Sequence, residues 1–278
     1  IAWVAYQQLD PATRSKVATV LRAHPAFLNN DWPSRGGVNG PDADLNLFLN
    51  ASVFPDDARD PMGKYNQFHE ATSHYVNFPV VEPRIARFDP TLKVVDPRSG
   101  SSVLTAYPRK LDLLEKPGTP LEEQALALSW IFHLAGDVHQ PMHATARFSK
   151  AFPQGDRGGN LVKVPNPRGP FGNLHAYWDD LAGVSDSFSD VDTIAKSIVA
   201  EYPRSALAEL EMTQFEGWVQ ESVVLSRRYA YRNLDPFVTE FTEMPVGYEA
   251  DARRLARRRM ALAGYRLADV LREIYQQQ

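Results

Sequence analysis

The segment that most constrains this chain is His133-Leu-Ala-Gly-Asp137-Val-His139-Gln-Pro-Met-His143, where three of the seven histidines fall within eleven residues. It continues a helical pattern. Leu126, Trp130, His133 and Asp137 recur at steps of four, three and four, so they share one helix face. Side chains four apart lie one above the other, so His133 and Asp137 can aim an imidazole and a carboxylate at one point. A second pair at the same spacing is His175 and Asp179, in His175-Ala-Tyr-Trp-Asp179. One such pair alone is ordinarily a surface hydrogen bond or a satisfied core histidine. Two pairs plus His143, the first pair in an apolar segment, favour metal binding, because burying these groups is costly unless a cation or partner compensates them. The pattern suits a borderline-soft divalent ion such as zinc. The chain has no cysteine, which removes disulfides, thiolate sites and cysteine nucleophiles, so any metal must be held by nitrogen and oxygen.

The 278 residues, 44% hydrophobic, suffice for one large core. We read all-α architecture: one mainly helical domain over 1–278, with long loops and at most a small β element. Asp10 and Pro11 cap and open an early helix that Pro25 ends. Residues 46–54 read as helix, and 29–45, 55–68, 96–102 and 153–173 as loops. Thr119-Pro120-Leu121-Glu122 reads as a capping box with Pro at the first helical position, and Pro141 ends the helix carrying His133. Asn173 is placed to cap a helix with His175 and Asp179. Residues 248–275 read as one long helix with Leu255, Ala263, Leu267, Val270 and Ile274 on its core stripe. The best strand signal is Leu161 to Val164. No apolar run of 18 residues exists, so no membrane span is expected. The net charge of −4 is unlike a surface that grips duplex by charge alone, so a nucleic-acid reading needs local cations, which bound metal can supply.

Beyond the central run, Gly158-Gly159-Asn160, Asn173-Leu174-His175 and Trp178-Asp179 resemble segments of the zinc-dependent single-strand nucleases of fungi, plants and bacteria (the nuclease S-one/P-one family), relatives of zinc-dependent phospholipase C. Ala51-Ser52-Val53-Phe54-Pro55-Asp56 with Arg59, Ser73-His74-Tyr75-Val76-Asn77-Phe78-Pro79, and Ala261-Leu262-Ala263-Gly264-Tyr265-Arg266-Leu267-Ala268 are similar too, so the resemblance covers nearly the whole chain. It implies zinc held by Asp56, His74, His133 and an oxygen of Asp137, and a second zinc held by His143, His175 and Asp179. It also implies a third ion on Asp137 plus an N-terminal Trp and a His five residues on. Trp3 does not match that ligand, because position 8 is Gln8. The chain starts at Ile1 without Met, so either upstream residues carrying those ligands precede it or the third ion is absent. Asn77 stands where fungal members carry an aspartate, Ser73 replaces a common tryptophan, and the fungal disulfides cannot form.

The resemblance further implies hydrolysis of single-stranded DNA or RNA and nucleotides by metal-activated water, with Asp137 at its centre. Arg59 is placed either on the phosphate or in an ordinary ion pair with Asp56, Asp57 or Asp60. Tyr75 is either a ring for base stacking or a core aromatic beside Phe78. Asn77 and Asn160 are candidate substrate contacts. His139 reads as structural, His24 and His69 as structural or exposed, Trp130, Trp178 and Trp218 as core. The run Arg253, Arg254, Arg257, Arg258 and Arg259 reads as a solvated helix face. The competing readings are a phospholipase C, a catalytically inactive zinc-binding protein of the same fold, and a purely structural helical protein. A secreted or periplasmic location is expected from the resemblance, and no obligate protein partner is indicated.

Overall fold

The helical periodicity of the sequence is realised in a computed structural model that describes residues 1–34, 42–81, 91–169, 172–185 and 187–276. The expected loop over 29–45 therefore lies partly outside the described residues. Helices α1 (Ala2–Gln8), α2 (Pro11–Leu21), α3 (Pro25–Leu28), α4 (Asp31–Ser34) and α5 (Ala43–Asp57) come first. They are followed by strand β1 (Phe78–Val81), helices α6 (Val103–Glu115) and α7 (Leu121–Asp137), and strand β2 (Thr145–Phe148). Helices α8 (Leu174–Asp179), α9 (Phe188–Glu201), α10 (Phe215–Leu225) and α11 (Tyr248–Gln276) complete the mainly helical fold. Asp10 caps α2 as read, accepting from the Thr13 N–H at 3.0 Å. Pro25 ends that helix but also opens α3, which His24 caps by accepting from Ala26 N at 3.1 Å.

Helix α7 is the centre of the molecule. It packs on α5, α6, α2 and α11, and its Trp130, Ile131, Phe132 and Leu134 are fully buried with Phe48, Leu267 and Leu271. The capping box expected at its start does not form. Pro120 has ψ 142° and is itself the N-cap, so the helix begins one residue later and the Thr119 hydroxyl donates to Lys116 O at 3.0 Å. Helix α11 lies against α1 so closely that a Cβ on Gly264 would fall 2.5 Å from the Val4 Cβ. Trp130, Trp178 and Trp218 are buried, as expected.

Two departures bear on the site. Helix α5 runs through Pro55 to Asp57, where a loop was expected; the proline sits in the last turn, where a single lost N–H bond to Ala51 is tolerable. The strand expected at Leu161 to Val164 reduces to isolated bridges from Lys163 to Asn173 and Glu240. The sheet is instead β1 parallel to β2, with Phe78 opposite Thr145 and Val81 opposite Phe148. Pro79 fits because a two-stranded sheet is all edge. Among the described residues, no helix is long and apolar enough to cross a membrane.

Candidate metal centre

Three devices bring distant ligand candidates together. The first is α7, whose last turn carries His133 and Asp137. Pro141 cannot donate to the Asp137 carbonyl, and Gln140 N takes it at 3.0 Å instead, turning the chain toward His143. The second is the parallel sheet. Val76 N donates to His143 O at 2.9 Å and Phe78 N to Ala144 O at 3.0 Å, so the residues entering β1 and β2 lie side by side, and His74 with His143 among them. The third is α8, capped by Asn173, whose side chain accepts from Ala176 N at 2.9 Å; it presents His175 and Asp179 one turn apart.

The result is two groups of nitrogen and oxygen donors. In the first, His74 Nδ1 lies 2.9 Å from His133 Nε2, and both are 3.2 Å from Asp137 Oδ2. Asp56 Oδ1 stands 3.4 Å from His133 Nε2 and 3.7 Å from His74 Nδ1. In the second, Asp179 lies 3.9 Å from His143 Nε2 and 3.7 Å from His175 Nε2. Asp137 joins the groups, its Oδ2 being 3.8 Å from His143 Nδ1. Four donors at zinc bonding distance in a tetrahedron are about 3.3 Å apart. The first group sits near that spacing and the second is slightly wider.

Ring orientation is set from behind, as metal-binding imidazoles require. His133 Nδ1 lies 2.9 Å from Ser52 O, His143 Nδ1 3.0 Å from His74 O, and His175 Nδ1 2.8 Å from Gly158 O. Each carbonyl needs a donor, so each Nδ1 carries hydrogen and Nε2 faces the donor group. Ser52 O lies on α5 one residue after Ala51, the carbonyl that Pro55 cannot bond. Gly158 is required at its place: its φ is +61°, and a Cβ would lie 2.5 Å from Met142 O.

The electrostatics favour a cation. Burial opposes charge on His133, but Asp137 and Asp56 outweigh it and raise its pKa to about 10. Burial likewise opposes ionisation of Asp137, yet His133 and His143 hold its carboxyl well below the usual range. Burial lowers His74 and His175 toward the neutral ligand form. Both groups open on one cleft of about 1790 Å³.

The other sequence candidates line the same cleft. Arg59 is paired with Asp56 at 2.9 Å rather than free. Tyr75 is exposed, so it is not a core aromatic. Asn77 is half-buried, and exposed Asn160 donates its amide to Arg157 O at 2.9 Å.

Sequence reasoning missed Gln140, which donates to Asp179 Oδ1 at 2.8 Å and steadies it. It also misjudged Arg259. The other four arginines of that run reach Glu249, Asp251, Glu201 and Glu209 near the surface, but Arg259 is buried. Arg259 and Arg266 both pair with Glu221, at 2.6 and 2.7 Å, behind the Asp137–His143 turn. Arg259 Nε donates to His139 O at 3.2 Å, and the Ser222 hydroxyl to Val138 O at 2.5 Å. His139 belongs to this clamp and not to the donor groups: Arg266 donates to its Nε2 at 2.9 Å. Burial and the two guanidiniums keep it neutral, far below its ordinary pKa.

A family profile described as S1/P1 Nuclease matches residues 1–276. Three proteins of Arabidopsis thaliana are similar. Endonuclease 3 is 29% identical over 174 residues, which is 54% of this chain and 51% of that protein. Endonuclease 5 is 30% identical over 172 residues, 54% of this chain and 51% of its own. Endonuclease 4 is 26% identical over 162 residues, covering 54% and 50%. This chain thus spans about half the length of the curated relatives it matches. With the profile running from the first residue through α11, the chain belongs to the S1/P1 nuclease family.

Proposed function

We propose that this protein is a zinc-dependent phosphodiesterase that cuts single-stranded DNA or RNA internally and acts on nucleoside 3′-monophosphates at the same site. One observation carries the reading: two donor groups, joined by the half-buried Asp137, face one cleft large enough for a strand. Family membership and the endonuclease names of the plant relatives support it. We assign Asp56, His74, His133 and Asp137 to one zinc and His143, His175 and Asp179 to a second.

Bound zinc would lower the pKa of water and neutralise charge on a phosphoryl oxygen. The chain's own residues supply the rest. Asp137 orients the attacking water by accepting its hydrogen bond. Arg59, steadied by Asp56, has a planar fork with N–H groups to spare for the phosphate. Tyr75 offers an exposed ring on which a base can stack, which favours unpaired strands. Asn77 and Asn160 offer amides to base or sugar. A location outside the cytoplasm, secreted or periplasmic, rests on family likeness alone.

The test is hydrolysis of single-stranded DNA, RNA and phosphatidylcholine by zinc-loaded protein, with Asp137→Asn as control. Cleavage of nucleic acid that the variant loses supports the reading. Activity on the lipid alone would make it a phospholipase C, and zinc binding with no hydrolysis would make it an inactive relative.

A further inference from the structure

The cleft has a cation that the reaction scheme does not use. Among the described residues, three arginines line it: Arg59, Arg157 and Arg259. Arg59 is tied to Asp56 and Arg259 to Glu221. Among the described residues, the guanidinium of Arg157 has no hydrogen-bond or ion-pair partner, and its side chain is exposed. A protein of net charge −4 that leaves one arginine unneutralised on the wall of its cleft has a local attraction for anions there.

The backbone holds this arginine in an unusual place. Its φ is +56°, the left-handed region that a residue with a Cβ occupies at a cost. Two bonds fasten the turn: Asn160 N and Asn160 Nδ2 both donate to Arg157 O, at 3.3 and 2.9 Å. The next residue, Gly158, gives its carbonyl to His175. The Arg157 backbone is therefore linked to the second donor group through one peptide unit, and its exposed side chain lines the same cleft.

We propose that Arg157 binds the phosphate next to the scissile one, and so selects polynucleotides over substrates with a single phosphate. The inference rests on the nuclease reading above. A strand whose scissile phosphate lies at the donor groups carries its next phosphate one nucleotide along the cleft, where an unpaired guanidinium can take it with a charge-assisted bond.

The experiment compares wild type with Arg157→Gln and Arg157→Lys on two substrates. One is a single-stranded oligothymidylate; the other is a thymidine dinucleoside monophosphate, whose one phosphate is the scissile one. For Arg157→Gln, KM on the oligothymidylate rises about tenfold with kcat kept. The slope of log affinity against log salt becomes shallower by about 0.7, the value for one contact to a single strand. The dinucleoside monophosphate is cut as before, and Arg157→Lys recovers the salt slope. Unchanged KM and slope on the oligonucleotide, or an equal loss on both substrates, overturns the inference. If wild type cuts neither substrate, the nuclease reading fails separately. The salt dependence of fluorescein-labelled oligothymidylate binding then decides the inference alone: equal slopes in wild type and Arg157→Gln, or no binding, reject it.

Discussion

Replacing Glu221 by Gln tests whether the turn carrying Asp137 and His143 is held by the charge cluster behind it. Glu221 accepts three bonds, from Arg259 Nη1 at 2.6 Å and from Arg266 Nη1 and Nη2 at 2.7 Å each. The arginine side chains are only 5% and 2% exposed, while that of Glu221 is 22% exposed. Glutamine keeps one oxygen but turns an N–H₂ toward a guanidinium, leaving two buried cations without their shared carboxylate. Removing one partner of a buried pair costs about 3 to 5 kcal/mol. Because water reaches the carboxylate, the expected loss is at the lower end, about 3 kcal/mol. For a chain this long, that corresponds to a fall in Tm of about 6 to 12 °C. The assay is urea and thermal unfolding of zinc-loaded protein, with Glu216→Gln as the comparison. Glu216 pairs with Arg98 at 2.5 Å, but both side chains are more than half exposed, so its loss costs under about 1 kcal/mol. The clamp also bonds His139 O and Val138 O, so Glu221→Gln should release zinc more readily as well. A Glu221→Gln protein no less stable than Glu216→Gln would refute the reasoning.

Gly158→Ala places a Cβ 2.5 Å from Met142 O at a φ of +61°, so the carbonyl that orients His175 must move. Metal analysis should show loss from the second group with retention at the first; full metal content would count against the assigned orientation. His24 is buried between Trp32 and Phe54, and burial lowers its pKa from 6.5 to about 3. Its neutral form stabilises the fold fully above pH 6.5, and that stability is lost as pH falls toward 3, because the unfolded chain binds the proton first. Between pH 6.5 and pH 5 the loss is about 2 kcal/mol, so metal-free His24→Asn should show a flatter stability curve than metal-free wild type over that range. Parallel curves would show that His24 is not the group responsible.

His133, Asp137, His143, His175 and Asp179 were legible because their signal is local, whereas Asp56 and His74 were pointed to only by the family resemblance. A His and an Asp four apart announce a shared helix face whatever the rest of the chain does, and Asn173 before His175 announces where α8 starts. What escaped notice depends on contacts distant in sequence. Nothing in Thr145-Ala146-Arg147-Phe148 alternates, since all four residues are buried, and its pairing partner lies some seventy residues earlier. Yet that pairing sets His74 beside His143. Pro55 looked like an end because proline usually is one, but the last turn of α5 tolerates it and so carries Asp56. Arg259 looked like one of five solvated arginines; only the arrival of Glu221 from α10 and His139 from the turn distinguishes it. Thr119-Pro120-Leu121-Glu122 matched a capping pattern that the extended ψ of Pro120 excludes.

The most direct test of the account is an anomalous difference map collected at the zinc edge on crystals of zinc-loaded protein. The account predicts one peak among Asp56, His74, His133 and Asp137, and a second among His143, His175 and Asp179. Absence of zinc at both places, or zinc bound only elsewhere on the protein, would contradict it.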